Sequence, residues 1–168
     1  GFLSLRGGQS PVSHWGQSLL ARRQTDFSFA AETKLEFTPE SFQHLAGLCW
    51  RYDETNQYLF AVTFDERLGR VLKVLTIIDS QFAHFDPVPI PADGPVWLGL
   101  TVNVDSGRFR YSLDGKTWRV LRPVLSSAVL SDEYGGMGFT GAFTGIFCVD
   151  TLDYTARAYF ESFNYTVL

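Results

Sequence analysis

Two glutamates on one predicted strand are the first residues whose type and spacing could do chemistry. Glu32, Lys34 and Glu36 alternate with apolar residues between Asp26 and Phe37, so their side chains share one face of an extended strand. Hydrolysis of a glycosidic bond needs two carboxyl groups at one site, because one donates a proton while the other attacks or activates water. A lysine stands between the glutamates where a further carboxylate is wanted. The pattern therefore predicts a solvated strand face, and the chain is predicted not to be an enzyme.

The other acidic pairs and the histidines offer no catalytic arrangement either. Asp65-Glu66 and Asp132-Glu133 are sequence neighbours within predicted turns, where adjacent side chains diverge. No serine or cysteine nucleophile motif lies near any of the three histidines, which are His14, His44 and His84. Turn acids and isolated histidines are therefore the preferred interpretation.

The strand predicted over Val96–Val104 offers a different chemistry, the stacking of a sugar on an aromatic ring. Its even-numbered residues are all apolar and are predicted to face the core, Val104 included. Its other face carries Trp97 and Asn103, and the next strand adds Arg110 on its polar face. An aromatic ring beside amide and guanidinium groups can hold the C–H face and the hydroxyls of a sugar. The alternative is an ordinary solvated face with one partly buried tryptophan.

Trp50 and Tyr52, at the end of the strand predicted over Leu45–Tyr52, are two further aromatic candidates for sugar contacts. For Trp50 two interpretations stand side by side, an added sugar platform or a large residue of the core. The predicted sugar-binding residues are thus Trp97, Asn103, Trp50, Tyr52 and Arg110.

A glycine-rich run between Ser131 and Asp150 is the most unusual segment of the chain. It holds five glycines and three phenylalanines in 20 residues. A core strand gains nothing from so many glycines, since each loses much backbone entropy on folding. The run therefore indicates a loop that brings aromatic side chains to a surface.

The elements that position these residues are predicted to be strands. Apolar and polar residues alternate with a period of two nearly throughout, and Phe27 opens the inward face of the strand over Asp26–Phe37. Turn sequences such as Asp105-Ser106-Gly107 and Asp114-Gly115 separate the strands, and no helix of ten residues is predicted. The remaining predicted strands are Gln57–Phe64, Arg70–Ile78, Arg108–Leu113, Gly141–Val149 and Arg157–Val167. The fold class is all-β, an antiparallel β-sandwich.

Length and composition set the outer limits. The 168 residues are predicted to form a single domain, residues 1–168, with a core that needs no metal or disulfide. A net charge of −4 argues against nucleic acid as a partner, because binding phosphates needs a basic face. No apolar run is long enough to span a membrane, and no signal peptide is recognised. Cys49 and Cys148 are predicted to be buried free thiols, with a disulfide as the alternative.

Several segments taken together resemble one family, the C-terminal concanavalin A-like sandwich of glycoside hydrolase family 43 β-xylosidases, which is also carbohydrate-binding module family 91. The resemblance covers essentially the whole chain. Its most specific segments are QSLLARRQ at Gln17–Gln24 and GFTGAF at Gly138–Phe143. The other matching segments are Leu5-Arg6-Gly7, Ala46-Gly47-Leu48 followed by Tyr52, Asp65-Glu66 with Gly69-Arg70, and Tyr111–Gly115.

The resemblance implies a jelly-roll sandwich and a division of labour. In these β-xylosidases and arabinofuranosidases the catalytic carboxylates lie on a β-propeller, so the chain is expected to be a domain excised from the C-terminal side of that propeller. A glycine-rich loop of the sandwich lends a phenylalanine to the rim of the catalytic pocket; Phe143 is the first choice here and Phe139 the second. Phe143 is then expected to stand exposed in the isolated chain.

The implied function is a non-catalytic module that binds xylan or xylo-oligosaccharides. The alternative is a structural domain that buttresses the propeller and an oligomer interface, without sugar binding of its own. Calcium is sometimes bound by sandwiches of this kind, and Asp150 and Asp153 are the possible ligands. No other cofactor is expected, although two carboxylates fall short of the six to eight oxygens that calcium takes.

Overall fold

The computed structural model describes residues 1–135 and 138–168 and consists almost entirely of strands. Gly136 and Met137, which belong to the predicted glycine-rich run, lie outside the described residues. One 3-10 turn (Ala128–Leu130) and one short helix, α1 (Asp132–Gly135), precede that gap. The strands are β1 (Leu3–Arg6), β2 (Ser18–Arg23), β3 (Ser28–Glu36), β4 (His44–Arg51), β5 (Gln57–Asp65), β6 (Gly69–Ile78), β7 (Gln81–His84), β8 (Val88–Pro89), β9 (Val96–Asn103), β10 (Ser106–Ser112), β11 (Arg119–Val120), β12 (Leu125–Ser126), β13 (Phe143–Asp150) and β14 (Arg157–Val167).

The strands form two antiparallel sheets that pack face to face. Sheet A has the order β1-β14-β3-β9-β10-β11, with β12 also paired to β10. Sheet B has the order β2-β13-β4-β5-β6-β7, with β8 also paired to β6. Non-consecutive neighbours within each sheet show that the chain crosses repeatedly between the sheets. The predicted antiparallel sandwich is confirmed.

The main core lies between the sheets and comes from the alternate residues that the sequence pattern assigns to it. In β9, Val96, Leu98, Leu100 and Val102 are fully buried. Val104 was assigned to the same face, and that prediction is wrong. The strand ends at Asn103, and Val104 turns into a left-handed conformation (φ 53°) with 59% of its surface exposed.

Phe27 is a second correction to the predicted core. It precedes β3, which begins at Ser28, and its side chain is exposed. The alternation holds from Phe29 to Phe37, whose inward residues are buried. The alternating sequence pattern therefore continues one residue beyond the strand itself, before the start of β3 and after the end of β9.

The outer face of sheet B carries a second apolar cluster, so this sheet is apolar on both faces. Its buried members are Cys49, Leu59, Ala61, Ile77, Phe147 and Val149. Val12 and Leu19 pack against the cluster from outside. Cys49 belongs to this cluster and Cys148 to the main core; both are buried and free, as predicted.

A buried arginine organises the proline-rich segment between β7 and β9. The guanidinium of Arg70 donates hydrogen bonds to the backbone carbonyls of Phe37, Pro91, Asp93 and Gly94 at 2.9–3.1 Å. Buried charge is tolerated where every donor finds an acceptor. Within the described ranges, neither helical segment is long or apolar enough to cross a membrane.

Candidate functional site

The glycine-rich loop (residues 138–142) presents a phenylalanine, but not the one ranked first. Phe139 is 88% exposed, which is the highest exposure among the large hydrophobic residues described. Phe143 is half-buried, because it opens β13 and lies between Arg23 of β2 and Arg51 of β4 on the outer face of sheet B. The expectation that Phe143 stands exposed is therefore wrong, and the second choice, Phe139, has that exposure.

The loop around Phe139 is held by hydrogen bonds to Asp132 and from Arg23. Asp132 accepts the Tyr52 hydroxyl at 2.8 Å and the Gly141 N–H at 3.2 Å on the same carboxylate oxygen. Arg23 donates to the backbone carbonyl of Phe139 at 3.3 Å. The hydrogen bond from Tyr52, followed by that from Gly141, lowers the pKa of Asp132 below its ordinary value, so the carboxylate stays ionised at neutral pH.

Two glycines are required by this geometry. A Cβ at Gly138 would lie 1.9 Å from the Tyr52 hydroxyl oxygen, and Gly141 adopts φ +68°. The loop therefore presents Phe139 on a fixed backbone. The structure places the predicted Tyr52 beside this loop, where its hydroxyl donates to Asp132.

Beside the loop lies an open groove of about 340 Å³. Its wall includes the polar residues Asp26, Ser131 and Asp132 together with the exposed Phe27. Aromatic and polar groups are therefore concentrated at this end of the sandwich. The exposed ring of Phe27, wrongly assigned to the core, belongs to this surface.

The outer face of sheet A brings together two of the predicted sugar-binding residues, Trp97 and Arg110. Trp97 has Lys34 and Ser112 as its cross-strand neighbours, while Gly99 lies between Glu32 and Arg110. Arg110 forms an ion pair with Glu32 across Gly99. A Cβ at Gly99 would lie 2.9 Å from Arg110, so glycine lets the arginine lie flat on the sheet.

Trp118 is the aromatic residue of this face that sequence reasoning missed as a contact residue. Its ring packs on the Arg110 guanidinium at 4.6 Å from the ring centroid, a cation–π geometry. Trp97 is less open than predicted, because Gly115 lies against its indole and the Lys34 ammonium is 5.2 Å from its ring centroid. The turn Ser112–Trp118, which folds Trp118 back onto Arg110, was the available signal.

Asn103 is exposed on the same strand as Trp97 but far from it. Six residues of extended strand separate them, which is about 20 Å. The Asn103 side chain accepts a hydrogen bond from Ser28 at 3.3 Å. One short ligand would not touch both Trp97 and Asn103.

Trp50 is a core residue, and its prediction as a sugar platform is wrong. Its surface is 0% exposed, and its indole N–H donates to the Gln24 side chain at 2.9 Å. It packs against Tyr58 and against Gly107, where a Cβ would lie 2.5 Å from the ring. The indole of Trp50 fills space between the sheets that Gly107 leaves open, because glycine has no side chain.

The Asp150 carboxylate is hydrogen-bonded to the backbone of a loop and is not suited to act as a calcium ligand. Its fully buried carboxylate accepts four backbone N–H groups at 2.8–3.2 Å, from Leu152, Asp153, Thr155 and Ala156. Burial alone would raise the pKa of Asp150, but these hydrogen bonds outweigh it and hold the pKa well below the ordinary value.

Asp153 and His44 lie near Asp150, with candidate ligand atoms within 4.8 Å of one another. Four hydrogen bonds occupy the lone pairs that a cation would need, so the predicted calcium site at Asp150 and Asp153 is not supported.

The family model described as the β-xylosidase C-terminal concanavalin A-like domain matches residues 1–166. A putative β-xylosidase of Escherichia coli K12 is 40% identical over 98% of this chain, and a β-xylosidase of Bacillus subtilis 168 is 39% identical over 97%. The crystal structure of a xylan β-1,4-xylosidase from Bacillus halodurans C-125 superposes with a TM-score of 0.95 at 32% identity, covering 98% of this chain. The chain spans 32% of the length of each of these three proteins.

The match falls on the C-terminal domain of glycoside hydrolase family 43 enzymes, whose catalytic module lies in a separate N-terminal domain. These 168 residues contain the accessory domain and not that module. The chain belongs to the family of C-terminal concanavalin A-like domains of family 43 β-xylosidases.

Proposed function

We propose that residues 1–168 form a single domain that serves a catalytic β-propeller, and that Phe139 is the side chain it presents to the rim of the catalytic pocket. The observation that carries the proposal is an almost fully exposed Phe139 on a loop whose backbone is fixed by Asp132 and Arg23. Exposed apolar side chains on rigid supports commonly mark contact surfaces. The relatives are named β-xylosidases, so the substrate proposed for the whole enzyme is a xylan-derived β-xyloside.

The energetic argument favours a partner domain over solvent. Burying a phenylalanine side chain removes apolar area from water and is worth about 1.5–3 kcal/mol. The hydrogen-bonded loop adds to this, because a backbone that is already held loses little entropy when it is covered. Phe139 therefore has the properties expected of a contact residue.

Association with a catalytic domain tests this proposal. The domain is mixed with the catalytic domain of the Bacillus subtilis relative, produced without its own C-terminal third, and complex formation is measured by sedimentation. Phe139→Ala is expected to weaken the complex by about tenfold, since it removes most of one buried phenylalanine. Phe82→Ala, at an exposed phenylalanine of β7, is the matched control. Equal complex formation by Phe139→Ala and the unaltered domain would reject the assigned role.

A second function, binding of xylan, is favoured by the outer face of sheet A. Trp97, Trp118 and Arg110 lie together there, with the Glu32 carboxylate as a further polar group. Aromatic surface beside such groups is typical of sugar sites. Affinity gel electrophoresis with soluble xylans tests it, with Trp118→Ala and Trp97→Ala as variants and Trp15→Ala, an exposed tryptophan elsewhere, as control.

Retardation by xylan that is lost in Trp118→Ala but kept in Trp15→Ala is the expected result. No retardation by any xylan would reject the binding function. Self-association in sedimentation without xylan binding would instead favour a structural role at an oligomer interface.

A further inference from the structure

A further cavity lies at one open edge of the sandwich, next to the outer face of sheet A and separate from the Phe139 loop. It is a groove of about 630 Å³ between the edges of the two sheets. Leu72 and Val74 of β6 and Tyr111 of β10 form its floor. The segment before β8 and the segment from Arg119 to Pro123 form its two lips. A volume of this size is typical of small-ligand sites.

Strand pairing directs one arginine toward this groove. Arg119 of β11 pairs with Tyr111, and cross-strand partners project from the same face of a sheet. Tyr111 faces the interior, so Arg119 also lies on the side of sheet A that faces the groove. Arg122 lines the same lip two residues beyond the strand.

The polar groups of the groove are not used by the rest of the domain. Among the described residues, neither Arg119 nor Arg122 makes an ion pair or a side-chain hydrogen bond, although Asp86 lines the opposite lip. The hydroxyl of Tyr111 likewise has no hydrogen-bond partner in the described protein and is not enclosed. The groove thus offers two free guanidinium groups at one lip and one free phenol hydroxyl at its floor.

The lips are built to keep their shape. Pro87 and Pro123 restrict the backbone on either side of the groove. Phe85 N–H donates to the Val74 carbonyl at 3.1 Å, and β8 pairs with β6. Beyond β8, Arg70 fixes the segment through the carbonyls of Pro91, Asp93 and Gly94. A site that is rigid before binding loses little entropy when a ligand enters.

We propose that this groove binds a sugar carrying a carboxylate, such as a uronic acid branch on a xylan-type chain. Arginine is suited to a carboxylate because its planar fork can donate two parallel hydrogen bonds. The apolar side chains of Phe85 and Val88 provide surface for the C–H face of a sugar ring, and the Tyr111 hydroxyl can bond a sugar hydroxyl.

This inference rests on the proposal that the domain binds xylan-type sugars, and it assigns a second, charge-selective site to that function. Trp118 immediately precedes Arg119 and packs on Arg110 at the outer face of sheet A. The two surfaces therefore meet at the β11 edge of the sheet. A main chain on the outer face could place an acidic branch over this edge.

Calorimetric titration of the domain with two oligosaccharides tests the inference. One is an unbranched xylo-oligosaccharide, and the other has the same backbone with a single glucuronic acid branch. The branched ligand is expected to bind about fivefold to tenfold more tightly at low salt, since charge-assisted hydrogen bonds carry the preference. Raising the salt concentration should reduce that preference, because the groove is open to solvent.

Variants separate the groove from the rest of the surface. The double variant Arg119→Gln/Arg122→Gln should abolish the preference for the branched ligand and leave the affinity for the unbranched one unchanged. Arg67→Gln, at an exposed arginine in the β5–β6 turn, should keep the preference. An unchanged unfolding midpoint in all three proteins shows that folding is intact.

The outcomes distinguish this inference from the function on which it rests. Equal affinity for both oligosaccharides, or a preference that survives Arg119→Gln/Arg122→Gln, overturns the groove site while xylan binding stands. Binding of the branched ligand alone, lost in the double variant, supports the groove while the outer face fails. Binding of neither ligand overturns both. Competition by a tetraglutamate peptide as strong as by the branched sugar would show a general anion site and overturn the assignment to a sugar.

Discussion

Replacement of Asp150 by asparagine is predicted to destabilise the domain strongly without touching any proposed ligand surface. The Asp150 carboxylate is fully buried and accepts four backbone N–H groups from the loop that joins β13 to β14. Asparagine has nearly the same shape but replaces one oxygen by an NH₂ group, which cannot accept hydrogen bonds. Two backbone donors therefore lose their acceptor in a buried place.

The magnitude follows from those two orphaned donors and the lost charge. Each unsatisfied buried donor costs about 1–3 kcal/mol, and the remaining hydrogen bonds weaken when the acceptor is neutral. The free energy of unfolding is expected to fall by about 3–5 kcal/mol, which lowers the unfolding midpoint by roughly 10 °C in a domain of this size. Urea and thermal unfolding at pH 7 measure both quantities. Asp105→Asn, at an exposed turn position, is the matched control.

The stabilisation that Asp150 contributes depends on pH, and the lowered pKa of its carboxyl group fixes the direction. Since the folded domain lowers the pKa of Asp150, its stabilisation is complete above the pKa of an unfolded aspartate, about 4, and is lost as the pH falls toward the lower folded pKa. The difference in stability between the unaltered domain and Asp150→Asn should therefore shrink between pH 4 and pH 2. A difference below about 1 kcal/mol at pH 7 would refute the assigned role of the carboxylate, because one buried unsatisfied donor alone costs that much.

Three further predictions concern the core. Trp50→Phe should lower the free energy of unfolding by about 1–3 kcal/mol, since it removes the Gln24 hydrogen bond and leaves space near Gly107. Retardation by xylan should stay unchanged. A specific loss of xylan binding in a folded variant would contradict the burial of Trp50. Gly47→Ala should prevent folding or cost more than about 3 kcal/mol, because its Cβ would lie 1.9 Å from the Phe60 carbonyl oxygen. Ser10→Ala, in the loop between β1 and β2, is the control. Unchanged urea stability of Gly47→Ala would refute the close approach. Burial raises the pKa of Cys49 to about 11 and of Cys148 to about 12. Both thiols should therefore react with a disulfide reagent at pH 8 only after unfolding. Rapid reaction of the folded domain would contradict the burial of the two thiols.

The sheet architecture follows from the sequence because burial and strand periodicity agree along most of the chain. Residues 29–37 and 96–103 alternate as the core requires, so their inward faces are correctly predicted. Strand ends are different, since nothing in the alternation shows where a strand stops. Phe27 and Val104 continue the pattern in sequence but lie just beyond β3 and β9, and both are exposed.

Which aromatic ring is buried depends on tertiary neighbours that the alternation does not reveal. Trp50 is enclosed because Gly107, distant in sequence, leaves room for its ring. Phe143 is half-buried because β13 is a central strand with partners on both sides, whereas Phe139 lies before the strand begins. The resemblance points to this loop, and the packing shows which of its two phenylalanines is exposed.

Polar residues were the hardest to assign from sequence. Asp150 and Asp153 have the residue type of cation ligands, and only the positions of four backbone N–H groups show that Asp150 is already satisfied. Arg119 and Arg122 showed no pattern of their own, because their common groove is formed by strands from different sheets. Such sites depend on long-range pairing and cannot be recognised from local spacing.

The most direct test of the central claim is the activity of a chimera in which this domain replaces the C-terminal third of the Bacillus subtilis β-xylosidase. The quantity to measure is kcat/KM for xylobiose. Phe139→Ala is predicted to lower it by about tenfold, the equivalent of most of one buried phenylalanine, while Phe82→Ala leaves it unchanged. An active chimera with the same kcat/KM in Phe139→Ala as in the unaltered protein would contradict the claim that this loop serves the catalytic pocket.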